Sequence, residues 1–123
     1  MKIIDTELAP KAVGTYSQGV FHNGVYYFSG QIGLNPRSME MSSDFDQQLG
    51  QVLANIDGLL KSQGLTRRNI IKTTIFLTDL KYFPKVNAQY ENYFEKPYPA
   101  RSCVEVSALP KGGLVEIEVI ASE

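Results

Sequence analysis

The chain has few of the residues on which metal, redox and nucleophilic chemistry commonly depends. Its 123 residues include one cysteine, one histidine and no tryptophan. One cysteine cannot form an intrachain disulfide, and one cysteine with one histidine is too small a ligand set for a zinc site. A catalytic triad would have to use His22, which precedes the Asn23-Gly24 turn and is expected to be exposed. The glycines also lack the spacing of a phosphate-binding loop. We therefore expect no metal and no cofactor.

The chain also lacks an excess of one charge and long apolar runs. Its 12 basic and 13 acidic residues give a formal net charge of -1 at pH 7. Nucleic acid is not an expected partner, because binding to phosphates depends on a cationic surface. The longest apolar runs, such as residues 25–28, are too short to cross a bilayer, and the N-terminus shows no signal-peptide pattern. These features predict a cytoplasmic protein that does not bind a membrane.

What is present is the composition of an ordinary globular domain. The sequence is 43% hydrophobic and 20% charged. A chain of this size can bury roughly two thirds of its unfolded surface. No period of about 20 to 50 residues repeats, and no linker divides the chain. We therefore predict a single domain over residues 1–123.

Local patterns predict five strands. Asn23-Gly24 accepts the positive φ angles of a two-residue hairpin turn, and β-branched residues favour a buried strand that begins near residue 70. The predicted strands cover residues 16–21, 25–32, 70–78, 100–107 and 114–121. The last two are expected to pair as a second hairpin.

Two amphipathic helices are predicted between these strands. The first is expected to be capped by Ser42 or Ser43 and to end at Gly64. Its apolar residues follow helical spacing: Phe45, Leu49, Val52, Leu53, Ile56, Leu59 and Leu60. The second covers residues 83–94, where Pro84 is tolerated because it falls in the first turn.

This element order predicts an α+β fold in which two helices pack on one face of a mixed sheet. The opposite face would leave Ile120, and also Ile70 or Phe76, uncovered. A closed homo-oligomer would bury that face and place sites at subunit boundaries.

Polar residues on the last two predicted strands form the candidate site. Arg101, Cys103 and Glu105 alternate onto one side of their strand, and a hairpin would bring Glu116 and Glu118 to the same face. Because charged strand residues usually point to water, spacing alone favours a solvated face. The alternative is a ligand site, in which the arginine holds a carboxylate and a glutamate activates water. Cys103 could be a nucleophile, although a lone cysteine is more often a small apolar residue.

Several longer stretches carry a resemblance to a known family. The most specific is Tyr98–Val106, followed by Leu109-Pro110 and Val115–Glu118. Further matches in order and spacing are Tyr16–Gly19, Ser29–Ile32, Lys72–Leu77, Asp79-Leu80 and Val86-Asn87. The sequence resembles the reactive intermediate deaminase (Rid, or YjgF) family over nearly its whole length. It departs from the family at Ser38-Met39-Glu40, where relatives commonly have a glycine before the acidic residue.

The resemblance implies a fold like that of the small trimeric chorismate mutases and a homotrimer with three clefts between subunits. The implied activity is the cofactor-free hydrolysis of 2-aminoacrylate or 2-iminobutanoate to a 2-keto acid and ammonia.

The resemblance also implies roles for individual residues. Arg101 would hold the substrate carboxylate, the backbone of Cys103 would orient the imine nitrogen, and Glu116 would position or activate water. The remaining members of the implied cleft are Tyr16, which we group with Cys103 and Glu116 as catalytic, and the substrate-binding residues Ser29, Gly30 and Asn87.

Two other functions stay open from the sequence. Some members of the family have been assigned endoribonuclease activity linked to translation inhibition, although this chain lacks a basic groove and acid-base histidines. A metabolite-binding regulator or a holdase chaperone would need no catalysis at all.

Overall fold

A computed structural model describes all 123 residues and shows one six-stranded mixed sheet with two helices. The strands and helices are β1 (Lys2–Ile4), β2 (Gly19–His22), β3 (Val25–Phe28), α1 (Phe45–Ser62), β4 (Ile70–Leu77), α2 (Phe83–Tyr93), β5 (Ala100–Glu105) and β6 (Val115–Ser122). The sheet order is β1-β2-β3-β6-β4-β5, and only the β4–β5 pair is parallel. The α+β prediction is confirmed. Neither helix is long and apolar enough to cross a membrane.

The first hairpin forms at the predicted turn. Asn23 and Gly24 have φ angles of 51° and 80°, and His22 pairs with Val25 across the turn. Both strands are shorter than predicted, because polar side chains beyond them bind other parts of the chain. Gln18, for example, donates to the Pro10 carbonyl at 2.8 Å. The three-residue strand β1, which the sequence pattern did not predict, adds to β2 at the edge of the sheet.

Helix α1 begins one to two residues later than predicted. Asp44 is the cap, and its carboxylate accepts the backbone N–H of Gln47 at 3.0 Å. The prediction of a Ser42 or Ser43 cap is wrong, because the carboxylate of Asp44 takes this position. Ser42 instead accepts the N–H of Asp44 at 3.0 Å. The predicted end is close, since Gly64 follows the last turn with φ +70°.

Both helices cover the same face of the sheet. The sheet residues beneath them are almost fully buried: Ile75, Leu77, Val115, Ile117 and Val119. They form one core with the apolar stripe of α1 and with Val86 and Tyr90 of α2. Pro84 lies in the first turn of α2, as predicted.

The prediction that β5 and β6 form a hairpin is wrong. Strand β4 lies between them, so β5 pairs with β4 and has a free outer edge. The physical reason is that α2 is a long enough connection for β5 to return parallel to β4. After β5 the chain crosses to the other side of β4, and it makes a short 3-10 turn at Pro110–Gly112 before β6 begins.

This topology also overturns the predicted grouping of polar side chains on one face. Arg101 and Cys103 pair with Thr73 and Ile75, whose buried side chains lie on the helix-covered face. Glu116 pairs with Phe76, one residue out of phase with Ile75, and therefore lies on the opposite face. By the same alternation Glu105 lies with Arg101, and Glu118 lies with Glu116.

The face opposite the helices is uncovered, as predicted. Its exposed apolar residues include Ile3, Tyr27 and Val104, which keep 51%, 45% and 43% of their surface accessible. Ile120 and Phe76 are half-buried on the same face. Of the alternatives Ile70 and Phe76, only Phe76 lies there: the register shifts between residues 70 and 72, and Ile70 is buried in the core.

Candidate functional site

Arg101 is held in place by helix α2. Its Nη1 donates to Asn87 Oδ1 at 2.7 Å, and its guanidinium carbon lies 5.2 Å from the ring centroids of both Phe83 and Tyr90. No carboxylate of the chain lies within ion-pair distance of it. The side chain is exposed. Arg101 therefore presents a fixed guanidinium whose remaining donors are free to bind an anion.

Cys103 presents its backbone and its thiol to different surroundings. The N–H of Val106 donates to the Leu77 carbonyl of β4 at 2.8 Å. Because peptide groups alternate in direction along a strand, the N–H and C=O of Cys103 point away from β4, to the free edge. The half-buried thiol packs against the core. Burial raises its pKa, and nearby Arg101 opposes the shift only partly. A protonated thiol is a poor nucleophile, so the backbone is the more useful group.

Glu116 is a half-buried carboxyl without a hydrogen-bond partner in its own chain. Burial raises its pKa above the ordinary value of 4.5, and the charge of Glu118 raises it further. Gly30 lies directly against it, since a β-carbon at position 30 would stand 2.6 Å from Glu116 Oε2. The neighbouring residues hold the backbones together: the N–H of Gln31 donates to the Ile117 carbonyl at 2.9 Å. A carboxyl in this setting suits proton transfer.

Ser29 and Tyr16 belong to segments next to Gly30, the residue against which the Glu116 carboxyl lies. The Ser29 hydroxyl donates to the Ser17 carbonyl at 2.6 Å, and its N–H donates to the Gln18 carbonyl at 2.9 Å. This places the segment that contains Tyr16 next to Ser29 and Gly30. Tyr16 is 53% exposed, so the residue is open to solvent.

The candidate residues thus form two clusters. The arginine cluster consists of Arg101, Asn87 and the Cys103 backbone. The glutamate cluster consists of Glu116, Gly30, Ser29 and Tyr16. Strand β4 separates Arg101 from Glu116, and the two side chains leave opposite faces of the sheet. One chain therefore does not bring all of the candidate residues together.

Comparison with known proteins identifies the family. A family model described as Endoribonuclease L-PSP matches residues 6–123. The 2-iminobutanoate/2-iminopropanoate deaminase of Escherichia coli K12 is 46% identical over 123 residues, which cover 98% of this chain and 96% of that protein. The chain belongs to the Rid (YjgF) family.

Solved structures of the Rid family share the whole fold. RidA from the Antarctic bacterium Psychrobacter sp. PAMC 21119 is similar with a TM-score of 0.96 and 42% identity, over 100% of both chains. E. coli TdcF with bound serine is similar with a TM-score of 0.94 and 40% identity, over 100% of this chain and 99% of that one. The resemblance that the sequence motifs predicted is confirmed.

A prominent cleft of this Rid-family chain lies elsewhere. It encloses about 730 Å³ between the C-terminal ends of α1 and α2, and none of the candidate residues lines it. Its central cation, Arg67, donates to both carboxylate oxygens of Asp57 at 3.0 and 2.8 Å, and to the Tyr93 carbonyl at 3.2 Å. These bonds occupy the guanidinium within the chain. We therefore regard this cleft as structural.

Sequence reasoning missed the aromatic support of Arg101 in this Rid-family chain. Phe83 and Tyr90 fall within the predicted second helix, and nothing in that prediction connects them with Arg101. With Asn87 they follow the i, i+4, i+7 spacing that places three side chains on one helix face. A polar residue within an aromatic stripe was the available signal. It could not reveal which strand the stripe faces.

Proposed function

We propose that this protein hydrolyses small 2-imino acids, and their enamine tautomers, to 2-keto acids and ammonia without a cofactor. The observation that carries the proposal is the unpaired Arg101 guanidinium, which Asn87 and two aromatic rings hold in a fixed position. A rigid fork with free donors fits the carboxylate that all 2-imino acids share. Membership of the Rid family, which includes a deaminase that is 46% identical to this chain, supports the same substrate class.

The reaction needs one proton acceptor and one proton donor, and Glu116 suits both roles. Its carboxylate takes a proton from water as the water oxygen bonds to C2 of the imine, and it passes this proton to the imine nitrogen, which gives a carbinolamine. Glu116 then takes the proton of the carbinolamine hydroxyl and delivers it to the amino group as the C–N bond breaks, which releases the 2-keto acid and ammonia. A raised pKa brings the carboxyl closer to neutral pH, where both transfers are efficient.

Orientation of the substrate falls to the other residues. Arg101 holds the carboxylate, and the edge-facing backbone of Cys103 can hydrogen-bond the imine nitrogen. Gly30 borders the carboxyl of Glu116, and Ser29 and the segment that contains Tyr16 lie next to Gly30. Serine is bound in the structure of the relative TdcF, which supports a cleft of amino-acid size.

We further propose that the complete site forms between subunits of a homotrimer. Arg101 and Glu116 leave opposite faces of one sheet, so a second copy is needed to bring one cluster against the other. The open sheet face, with Ile3, Tyr27 and Val104 exposed, provides apolar surface for such an assembly. Strand β5, which contains Arg101, has a free edge, so the arginine cluster lies at the boundary of the subunit.

The test is competition for a trapped imine. A threonine dehydratase generates 2-iminobutanoate, and semicarbazide traps the free imine unless the protein hydrolyses it first. We expect wild-type protein to reduce trapping and Arg101→Ala to lose most of this effect. Arg68→Ala is the matched control, because Arg68 is an exposed arginine that pairs with Glu95 at 2.6 Å and belongs to neither cluster. Unchanged trapping with folded wild-type protein would refute the proposal.

One competing function has a specific observation behind it. The matched family model is described as Endoribonuclease L-PSP. The chain has a net charge of -1, and its one histidine is exposed in the first hairpin. RNA cleavage that is lost in Arg101→Ala would establish that activity, whereas suppression of aggregation by both wild type and Arg101→Ala would indicate a holdase.

A further inference from the structure

The support beneath Arg101 is built from one face of α2. Phe83, Asn87 and Tyr90 are spaced i, i+4 and i+7, so their side chains share one side of the helix. The guanidinium donates a hydrogen bond to Asn87 Oδ1, and its carbon lies 5.2 Å from the centroid of each aromatic ring. Cations within about 6 Å of a ring centroid are attracted by its π face.

Tyr90 is also tied to the strand next to Arg101. Its hydroxyl forms a hydrogen bond with the Thr73 hydroxyl in the core, where Tyr90 and Thr73 are 7% and 1% exposed. Thr73 is the direct neighbour of Arg101 in the β4–β5 pair. The bond therefore joins the ring under the guanidinium to the residue beside the Arg101 backbone.

A purely packing role does not require these hydroxyls. Phe at 90 and Val at 73 would fill nearly the same volume without burying polar groups, which is costly unless they are paired. Burial raises the pKa of Tyr90, so its hydroxyl is neutral at physiological pH and does not compete for the Arg101 charge. The pair instead ties the Tyr90 ring of α2 to Thr73 of β4.

We propose that Tyr90 and Thr73 are positioning residues for Arg101: their buried hydrogen bond holds the ring on which the guanidinium rests, and Phe83 forms the second wall. This inference rests on the proposed role of Arg101 in binding a carboxylate. It predicts that affinity for the carboxylate depends on a hydroxyl pair that never touches the substrate.

Tyr90→Phe is the main test, because it keeps the ring and removes the tether. We expect KM for the imine and Kd for 2-oxobutanoate, measured by calorimetry, to rise about tenfold with a smaller change in kcat. Thr73→Val should have a similar effect. The double variant should be no worse than either single one, because both halves of the pair are then gone.

Tyr93→Phe is the matched control. Tyr93 lies on the same helix, is equally buried, carries an arginine over its ring and donates to Asp57 at 2.7 Å, but it supports Arg67 rather than Arg101. Removing its hydroxyl should lower thermal stability without changing KM or Kd. Equal effects of Tyr90→Phe and Tyr93→Phe on Kd would overturn the proposal.

A double-mutant cycle shows whether Tyr90 acts through the arginine. In an Arg101→Ala background, Tyr90→Phe should leave Kd for 2-oxobutanoate unchanged. A further tenfold loss there would also overturn the proposal. If Kd for 2-oxobutanoate follows this cycle but the protein does not hydrolyse the imine, the deaminase function is refuted and the positioning role of Tyr90 stands. Binding unaffected by Arg101→Ala would remove the basis of both.

Discussion

Gly30 and Glu116 are in such close contact that no β-carbon fits between them. A methyl group at position 30 would lie 2.6 Å from Glu116 Oε2 and 2.9 Å from its carboxyl carbon. The atoms that must move belong to the end of a flexible side chain rather than to backbone. Gly30→Ala should therefore leave the fold intact and displace the carboxyl. We expect kcat for imine hydrolysis to fall at least about tenfold.

Gly50→Ala is the control for this substitution. A β-carbon at position 50 meets no atom within 4 Å, and the residue lies inside α1. It should keep full activity and gain up to about 1 kcal/mol in the free energy of unfolding. Gly30→Ala with wild-type kcat would show that the position of the Glu116 carboxyl does not matter for turnover.

The charge of Glu118 is predicted to shift the acid limb of the pH–rate profile to higher pH. Its charge is one of two causes that raise the pKa of Glu116, the larger being burial. If Glu116 acts as a carboxylate, activity rises with pH through its pKa. Glu118→Gln removes a repulsive charge, lowers that pKa and should move the midpoint of the acid limb to lower pH. The measurement is kcat/KM against pH, and a midpoint that stays in place or rises would contradict this assignment.

The same carboxyl should influence stability with a defined sign. The pKa of Glu116 in the folded protein lies above its ordinary value of 4.5. The folded state therefore holds this proton more tightly, and stability falls as pH rises from the unfolded pKa through the folded pKa. Glu116→Gln cannot ionise, so its melting temperature relative to wild type should be higher at pH 7 than at pH 4. A difference that is constant across this range would argue against a raised pKa.

Cys103 is predicted to act through its backbone. Burial raises the pKa of the thiol, so little thiolate is present at neutral pH. Cys103→Ser keeps the peptide group and should retain kcat within about threefold of wild type, whereas loss of a nucleophile costs orders of magnitude. Alkylation of the native thiol by iodoacetamide should be slow. A loss of kcat as large as that for Arg101→Ala would instead indicate chemistry at the sulfur.

Elements with local causes were predictable from the sequence. The Asn23-Gly24 turn depends on two residues that tolerate positive φ, and α1 depends on the period of its own apolar residues. Pro84 marked the first turn of α2 for the same kind of local reason. Strand β1 was missed because a three-residue strand carries too short a pattern and exists only through its pairing with β2.

The candidate site was predictable in its residue types and not in its arrangement. Arg101, Cys103 and Glu116 were found from alternation and from the family motifs. Their placement on one face rested on a β5–β6 hairpin, which the insertion of β4 removes. The face on which a strand residue lies is set by its register with the neighbouring strand, and a single-residue offset reverses it.

The sequence by itself determined the family, the α+β class, the local turns and helices, and an arginine and a glutamate at positions that match that family's motifs. These follow from residue types and from spacings within one segment of chain. Only the tertiary structure decided that Arg101 rests on Phe83, Asn87 and Tyr90, and that Glu116 lies against Gly30 on the other face. Such contacts join segments distant in sequence, and the pairing of whole strands and the packing of α2 on the sheet select them.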